Sequence, residues 1–481
     1  MNQEKNKIEN KKDVAKDIAT KVQHKETSNK DSLSDFLDNF LAHPFFGVVF
    51  FALIMWLVFT ISQVWVGPWL AGILDGFMGI FAGMIEDLLV NAGVSEILRA
   101  FILEGMIGGL SAVIGFLPLI MVLFFFLYLM EDSGYMARVA LIMDKYFKKI
   151  GLAGKSIIPM YVGTACSIPA IMSARTIKNA RQRRMTILLT PFIPCGAKLP
   201  VIALFLGVFF TGKAYMTALV YVGAILIIYL TGLLVKNLLN VDLSEEEDAF
   251  LIVELPEYKR PSLWQATLSM LARAKAFIIK AGTIILVANA IVWFFVNFDF
   301  SLNMVEADAS ILAFISAPFA WLLTPIGVAS WGLAAAAILG FVAKEEVVGA
   351  LAVIFVFRVS DDFEIESIEA TRSVLMSTAG LTSVSALAFM AFNLFTPPCF
   401  AAIGAMNTEF ESKKWTFFAI FLQLSIGFFS AFFIYQVGTL ITSGTLGHGF
   451  VAGAIVLVIY ITTYIYLVHL AKDGKGLAKI D

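Results

Sequence analysis

The chain has 481 residues, of which 59% are hydrophobic and only 15% charged, with a formal net charge of −2 at pH 7. A soluble domain carries about 45–50% apolar and about 25% charged residues, so this composition excludes a soluble α/β enzyme and describes an integral membrane protein. The near-neutral balance also gives no basic footprint for nucleic acid.

Residues 1–43 hold eight Lys and eight Asp or Glu, with few large apolar side chains before Leu33. This reads as a hydrophilic cytoplasmic tail rather than a cleavable signal peptide, with a partner-docking helix as the alternative. Apolar runs near the roughly 20 residues a spanning helix needs follow at 45–66, 105–130, 185–210, 214–235, 277–297, 331–357, 416–441 and 450–470. Shorter or interrupted runs lie at 157–174, 311–327 and 380–406. Strand periodicity is absent, so the expectation is an all-α polytopic bundle of roughly eight to ten embedded segments. A charged stretch with Glu245, Glu246, Glu247 and Asp248 divides it. The expected organisation is a tail (1–43), a first membrane half (44–240), a cytoplasmic linker with an amphipathic helix (241–275), a second membrane half (276–470) and a short tail (471–481).

Basic residues orient such a bundle. From Lys145 to Val241 there are twelve Lys or Arg and no Asp or Glu, and five of the twelve sit in 175-RTIKNARQRR-184. That loop is expected inside. The 299–308 linker, with Asp299, Glu306 and Asp308 and no base, is expected outside, and Lys472, Lys475 and Lys479 put the C-terminus inside.

Three cysteines occur, in 164-TACSIPA-170, 193-IPCGAKLP-200 and 396-TPPCFAAIGA-405. Their number and spacing fit neither a disulfide framework nor a zinc ribbon. Each of Cys166, Cys195 and Cys399 lies within three residues of a proline. Proline removes a backbone donor and opens a helix. At membrane depth, opened backbone is tolerated only inside protein or beside a wet cavity, and transporters place ion sites at such breaks. A single cysteine reads as a small buried apolar residue; three at proline breaks read as a metal path. The stretch 157–174 is too brief to span and reads as a re-entrant hairpin. The segments 134-GYMAR-138 and 340-GFVAK-344 are alike, and PFIPC and FTPPC follow them at similar distances, ending on Cys195 and Cys399. This predicts two gate-like repeats, Gly134–Cys195 and Gly340–Cys399.

Intramembrane charges are costly and usually functional. Glu131 and Asp132 end the run 119-LIMVLFFFLYLM-130; Lys344, Glu345 and Glu346 lie within 331–357. The four carboxylates are further metal-ligand candidates. Glu131 and Asp132 also read as boundary caps, and Lys344 as the ion-pair partner of a glutamate. Lys198 shares a helical face with Cys195 and is expected to act on its thiol or to hold a carboxylate of the other repeat. The run 105-GMIGGL-110 reads as close helix packing. The Gly-Lys-Ser of 151-GLAGKS-156 is no phosphate loop, because position 149 is Lys149 where a glycine is needed and no strand precedes it. Thiols with carboxylates suit a borderline divalent ion, Fe²⁺ or Zn²⁺.

The blocks 131-EDSGYMARVALIMDKYFKKIGLAGKSIIPM-160, 163-GTACSIPAIMSARTIKNARQRRMTILLTPFIPCGAKLPV-201, 340-GFVAKEEVVGAL-351 and 384-VSALAFMAFNLFTPPCFAAIGA-405 resemble the bacterial ferrous iron transport protein B family (FeoB), over roughly residues 45–470. The resemblance implies multi-pass residence in the bacterial inner membrane and Fe²⁺ uptake through two gate-like repeats. Cys166, Cys195 and Cys399 match the family's cysteine path, and Glu131 and Asp132 its Glu-Asp-Ser-Gly segment. Fe²⁺ is then substrate, with no permanently bound cofactor. The usual member opens on a cytoplasmic GTPase domain where this sequence shows the 43-residue tail. A GTPase on a separate polypeptide and a small FeoA-type protein are therefore the expected partners, with homo-oligomers open. Two other readings compete. A gate-type carrier of a nucleoside or other organic solute would place Asn, Gln and Ser at the breaks, and Asn393 and Gln423 keep it open. A membrane thiol redox enzyme would need two sulfurs within bonding distance.

Overall fold

A backbone inside hydrocarbon must satisfy its own polar groups, which leaves helices as the economical solution. The computed structural model describes residues 46–147, 150–152, 154–213, 215–239, 258–279, 283–355 and 368–472, almost wholly as helix. The N-terminal tail, the linker to residue 257 with its acidic cluster, and the C-terminal residues after 472 lie outside the described residues. Among those described, the single β feature is an isolated bridge between Phe298 and Met304.

The first half comprises α1 (Phe46–Thr60), α2 (Val66–Asn91), α3 (Gly109–Asp132), α4 (Tyr135–Phe147), α5 (Ile157–Ala165), α6 (Ser167–Ser173), α7 (Ala180–Leu189), α8 (Leu199–Phe209) and α9 (Tyr215–Leu239). After α10 (Leu263–Phe277), the second half comprises α11 (Thr283–Asn297), α12 (Ile311–Leu323), α13 (Trp331–Val342), α14 (Glu346–Phe355), α15 (Ile368–Ser377), α16 (Ser383–Phe395), α17 (Phe400–Phe410), α18 (Lys413–Ser443) and α19 (Phe450–Lys472). Among the described residues, five helical stretches are long and apolar enough to cross a membrane, or up to seven if each of two bent pairs is one span. The sequence reading of eight spanning runs is larger, in part because 331–357 is broken after Val342 into α13 and α14. The pair on either side of Gly134 bends by 81° and the pair at Ile326–Trp331 by 98°. Gly134 and Gly327 stand at these bends with φ of +82° and +81°, a region that a Cβ disfavours.

Burial divides the helices into two classes. The α2 helix presents Trp69, Phe77, Ile80, Met84 and Leu88 outward, and α9 and α19 do likewise; these are lipid-facing surfaces. In contrast, α8, α13 and α16 are largely enclosed, and their side chains form one core with α7, α14 and α18. Phe205 of α8 meets Phe389 of α16 edge-to-face at 5.5 Å. Both halves thus meet through the helices that flank the cysteine breaks.

The GYMAR and GFVAK likeness does not correspond to equivalent structure. Gly134 sits in a turn before α4, whereas Gly340 sits inside α13. A different correspondence emerges from the backbone. The helices α5 and α6 are separated by the single extended residue Cys166, at φ −151° and ψ 130°. The second half has a longer break after α13: Ala343 is likewise extended, at φ −150° and ψ 134°, and Ala343–Glu345 separate α13 from α14. Cys166 and Ala343 therefore share a backbone state at the end of comparable helices.

Candidate ion-path site

The prolines open the helices by removing acceptor-satisfying N–H groups. In the first half, α7 passes into a tight turn, Thr190–Phe192, after which Ile193 and Cys195 are extended. Pro194 has no N–H to return to the carbonyl of Pro191. In the second half, α16 ends at Phe395, Thr396 is extended, and Cys399 precedes α17. Residues 397 and 398 are both proline, so the carbonyl of Leu394 has no helical donor at either the third or the fourth position ahead. Pro200, by contrast, lies in the first turn of α8, where a missing N–H costs nothing.

Each cysteine occupies the residue just before a helical turn: Cys166 before α6, Cys195 before Gly196–Lys198, and Cys399 before α17. All three are free thiols; Cys195 is buried and the others are partly accessible. The three sulfurs lie within Coulombic reach of one another. Among the described residues, no three His, Cys, Asp or Glu side chains form one metal-holding cage.

Two lysines are buried in the same region, each 2% exposed. The Lys198 ammonium donates to the carbonyls of Pro191 at 2.9 Å and Leu394 at 2.5 Å, one from each half. It holds a backbone oxygen of the other half rather than a carboxylate. Lys344 donates to the Thr396 hydroxyl at 3.1 Å and lies 5.2 Å from the Phe341 ring centre; no glutamate pairs with it among the described residues. Glu345 lies within Coulombic reach of Cys166 and Cys399. Glu346 opens α14 and is hydrogen-bonded by the Asn289 side chain of α11.

Glu131 and Asp132 are not gathered with the cysteines. Asp132 pairs with Lys259 at 2.6 Å and accepts from the Ser262 backbone N–H at 3.2 Å; Glu131 lies 3.8 Å from Arg273. These acids clasp the residues before α10, and its later turn at Arg273, to the end of α3. The hydrogen bond and charge of Asp132 hold Lys259 above its ordinary pKa of 10.5. Two of the three glycines of 105–110 are packing positions: a Cβ on Gly105 would lie 3.2 Å from Trp293, and one on Gly109 would lie 2.9 Å from the Asn289 amide nitrogen. The segment 154–156 is likewise structural, with Gly154 N–H on Asp144 and the Ser156 hydroxyl against that of Thr186.

Of two polar atoms beside the breaks, that of Ser167 escapes sequence reasoning, and that of Asn393 is anticipated only as a group an organic-solute carrier would use. The Ser167 hydroxyl and the Asn393 amide oxygen are buried without a hydrogen-bond partner. Asn393 spends its amide N–H on the Phe389 carbonyl at 3.0 Å, and a Cβ on Gly340 would lie 3.3 Å from its oxygen. A buried unsatisfied oxygen costs about 1–3 kcal/mol, so each of these atoms calls for an explanation. Adjacency of Ser167 to Cys166 was the available signal; for Asn393, the signal was its position one helical turn before the break.

The sequence also has relatives. Residues 113–209 and 278–413 match the family model Gate, described as nucleoside recognition, and 217–273 match that of the ferrous iron transport protein B C terminus. The chain is 37% identical over 403 residues to a Staphylococcus aureus protein named Fe(2+) transporter FeoB, covering 83% of this chain and 58% of that one. A Campylobacter jejuni protein of the same name is 31% identical over 401 residues, covering 81% and 63%. A Porphyromonas gingivalis Fe(2+) transport protein A/Fe(2+) transporter FeoB fusion protein is 31% identical over 439 residues, covering 83% and 51%. The chain thus spans little more than half the length of these relatives. No solved structure matches it.

Proposed function

The chain belongs to the ferrous iron transport protein B family, and from that membership we propose that it carries Fe²⁺ across the bacterial inner membrane along the cysteine breaks. What supports this reading is that three free thiols, each at the residue before a helical turn, lie within Coulombic reach of one another, with the unpartnered Ser167 and Asn393 oxygens adjacent to two of the breaks in sequence. Sulfur with amide and hydroxyl oxygen suits a borderline divalent cation. Binding as a thiolate releases a proton, so each step along the path exchanges a cation for a proton at Cys166, Cys195 or Cys399. Glu345 supplies a carboxylate beside two of these thiols. Ser167 and Asn393 are also groups that an organic-solute carrier would use, but the thiols and the relatives' names favour the metal.

Control by a GTPase and association with a small FeoA-like protein are part of the proposal. The name of the P. gingivalis fusion protein joins such a protein A to protein B on one chain. Both termini and the 175–184 loop are assigned to the cytoplasmic side by their basic residues.

Uptake of Fe²⁺, Mn²⁺ and Zn²⁺ into sealed proteoliposomes tests the reading. Fe²⁺ should accumulate, and Cys195→Ser and Cys399→Ser should each lower its uptake by at least about tenfold, because a hydroxyl is a hard and rarely ionised replacement for sulfur. Wild-type rates in both variants would reduce these cysteines to packing residues.

A further inference from the structure

The Lys198 ammonium is the most unusual buried group the ion path leaves unexplained. It is almost fully enclosed and meets no carboxylate among the described residues, yet it is held by two carbonyl oxygens from opposite halves of the protein. Burying an ammonium without an anion costs several kcal/mol. Each charge-assisted hydrogen bond returns only about 1.5–3 kcal/mol. Packing alone would be better served by Met or Leu at this position, so the charge calls for another account.

The two carbonyls supply one. Pro191 and Leu394 lie at the C-terminal ends of α7 with its following turn and of α16, where a helix presents its partial negative charge. The prolines downstream leave Leu394 without a helical donor and remove one from Pro191. Two helix C-termini with freed carbonyls, facing each other across the interface, make a cation site of the kind unwound helices form in transporters. The cysteines Cys195 and Cys399 and the Lys344 ammonium are within Coulombic reach of the same point.

We propose that the carbonyls of Pro191 and Leu394 form an alkali-cation-type site that Lys198 fills from within, as a tethered plug that closes the path to Na⁺ and K⁺. The proposal deepens the transport reading, since it rests on this crossing being a cation path. A carbonyl pair alone suits hard monovalent cations at least as well as Fe²⁺. With Lys198 in place those cations find the carbonyls occupied; Fe²⁺ feels the fixed charge twice as strongly, so its passage depends on thiolate charge at Cys195 and Cys399, which Na⁺ and K⁺ bind poorly. Lys198 is thus a selectivity residue that ligates nothing.

The test uses the full chain in sealed vesicles under a K⁺ gradient, without iron. Wild type and Lys198→Arg should be tight. Lys198→Met should leak K⁺ or Na⁺ at least about tenfold faster, because the vacated carbonyls can hold a dehydrated cation, and Lys198→Ala should leak likewise until n-butylammonium, which reproduces the lost side chain, fills the space. If Lys198→Met is as tight as wild type, the plug is refuted, while Fe²⁺ uptake by the wild type and its loss in Cys195→Ser would still stand. Where Lys198→Met gives no folded protein, Lys198→Ala is prepared with and without n-butylammonium or K⁺. Recovery of monodisperse protein by either cation supports the site, and failure of both overturns it.

Discussion

Gly427 offers a way to disturb the second break without touching any proposed ligand. It lies in the middle of α18, where that helix crosses the end of α16. A Cβ there would stand 2.7 Å from the Thr396 Cγ2, 3.0 Å from the Thr396 backbone nitrogen and 3.2 Å from the Phe395 carbonyl carbon. Carbon atoms in good contact sit about 3.5–4.0 Å apart, and two of the three obstructing atoms are backbone that cannot rotate away. Gly427→Ala must therefore push the Phe395–Thr396 segment away from α18 by a large fraction of an ångström. Overpacking of this kind costs about 1–3 kcal/mol, a factor of about 5–150 in the population of the native break. Thr396 is also the hydrogen-bond acceptor of the buried Lys344, so that contact moves with the segment. Gly404→Ala on α17 is the control, since nothing lies within 4 Å of a Cβ there. Gly427→Ala should lower both the apparent melting temperature in detergent, by several degrees, and Fe²⁺ uptake, whereas Gly404→Ala should change neither. If the two variants behave alike, α18 does not brace the break as its geometry implies.

Asn393→Ala removes the unpartnered amide oxygen and should narrow the preference for Fe²⁺ over Zn²⁺ about fivefold or more, since each lost oxygen favours the ion more content with sulfur; an unchanged Fe²⁺ to Zn²⁺ uptake ratio would leave the oxygen without a role in transport. The Lys259–Asp132 clasp yields a pH expectation. Because Lys259 is raised above 10.5 in the folded protein, its contribution is fully present below that pH and disappears as pH rises through the elevated value. Amide exchange in α10 should accordingly stay protected through neutral and mildly alkaline solution. Lys259→Met should lose part of that protection already at neutral pH, and equal exchange in wild type and variant would show that the ion pair does not hold α10.

What could be read from the chain beforehand was local. The apolar runs mark the helices, and the prolines at 191, 194, 397 and 398 mark the openings, because both signals act within a few residues. What could not be read depends on contacts between distant parts. Lys344 lies beside two glutamates in sequence, but the helix break at Ala343 turns its ammonium toward Thr396, 52 residues away. The acids at 131 and 132 end an apolar run and match the family's acidic segment. Their partners, Lys259 and Arg273, are on a segment more than 120 residues downstream. The correspondence of Cys166 with Ala343 was hidden for another reason: an extended residue at the end of a short helix is a backbone state compatible with either side chain, so identity conceals the match.

That correspondence bears on the proposed path. The two halves break at comparable places, but the first half supplies Cys166 and the neutral Ser167, while the second supplies Ala343 followed by the charged Lys344 and Glu345. One break offers a cation sulfur; the other offers it the Glu345 carboxylate beside the repelling charge of Lys344. At the later breaks both halves offer a thiol, Cys195 and Cys399, and only the first half adds a lysine, Lys198. A path with identical chemistry on both sides would hold a cation equally well in either direction of approach. Here the backbone supplies two matching openings and the side chains make them unequal. On the proposed path a thiol-binding cation has stations on both sides of the crossing, whereas a cation that relies on carbonyl oxygen finds the Pro191 and Leu394 pair already taken by an ammonium.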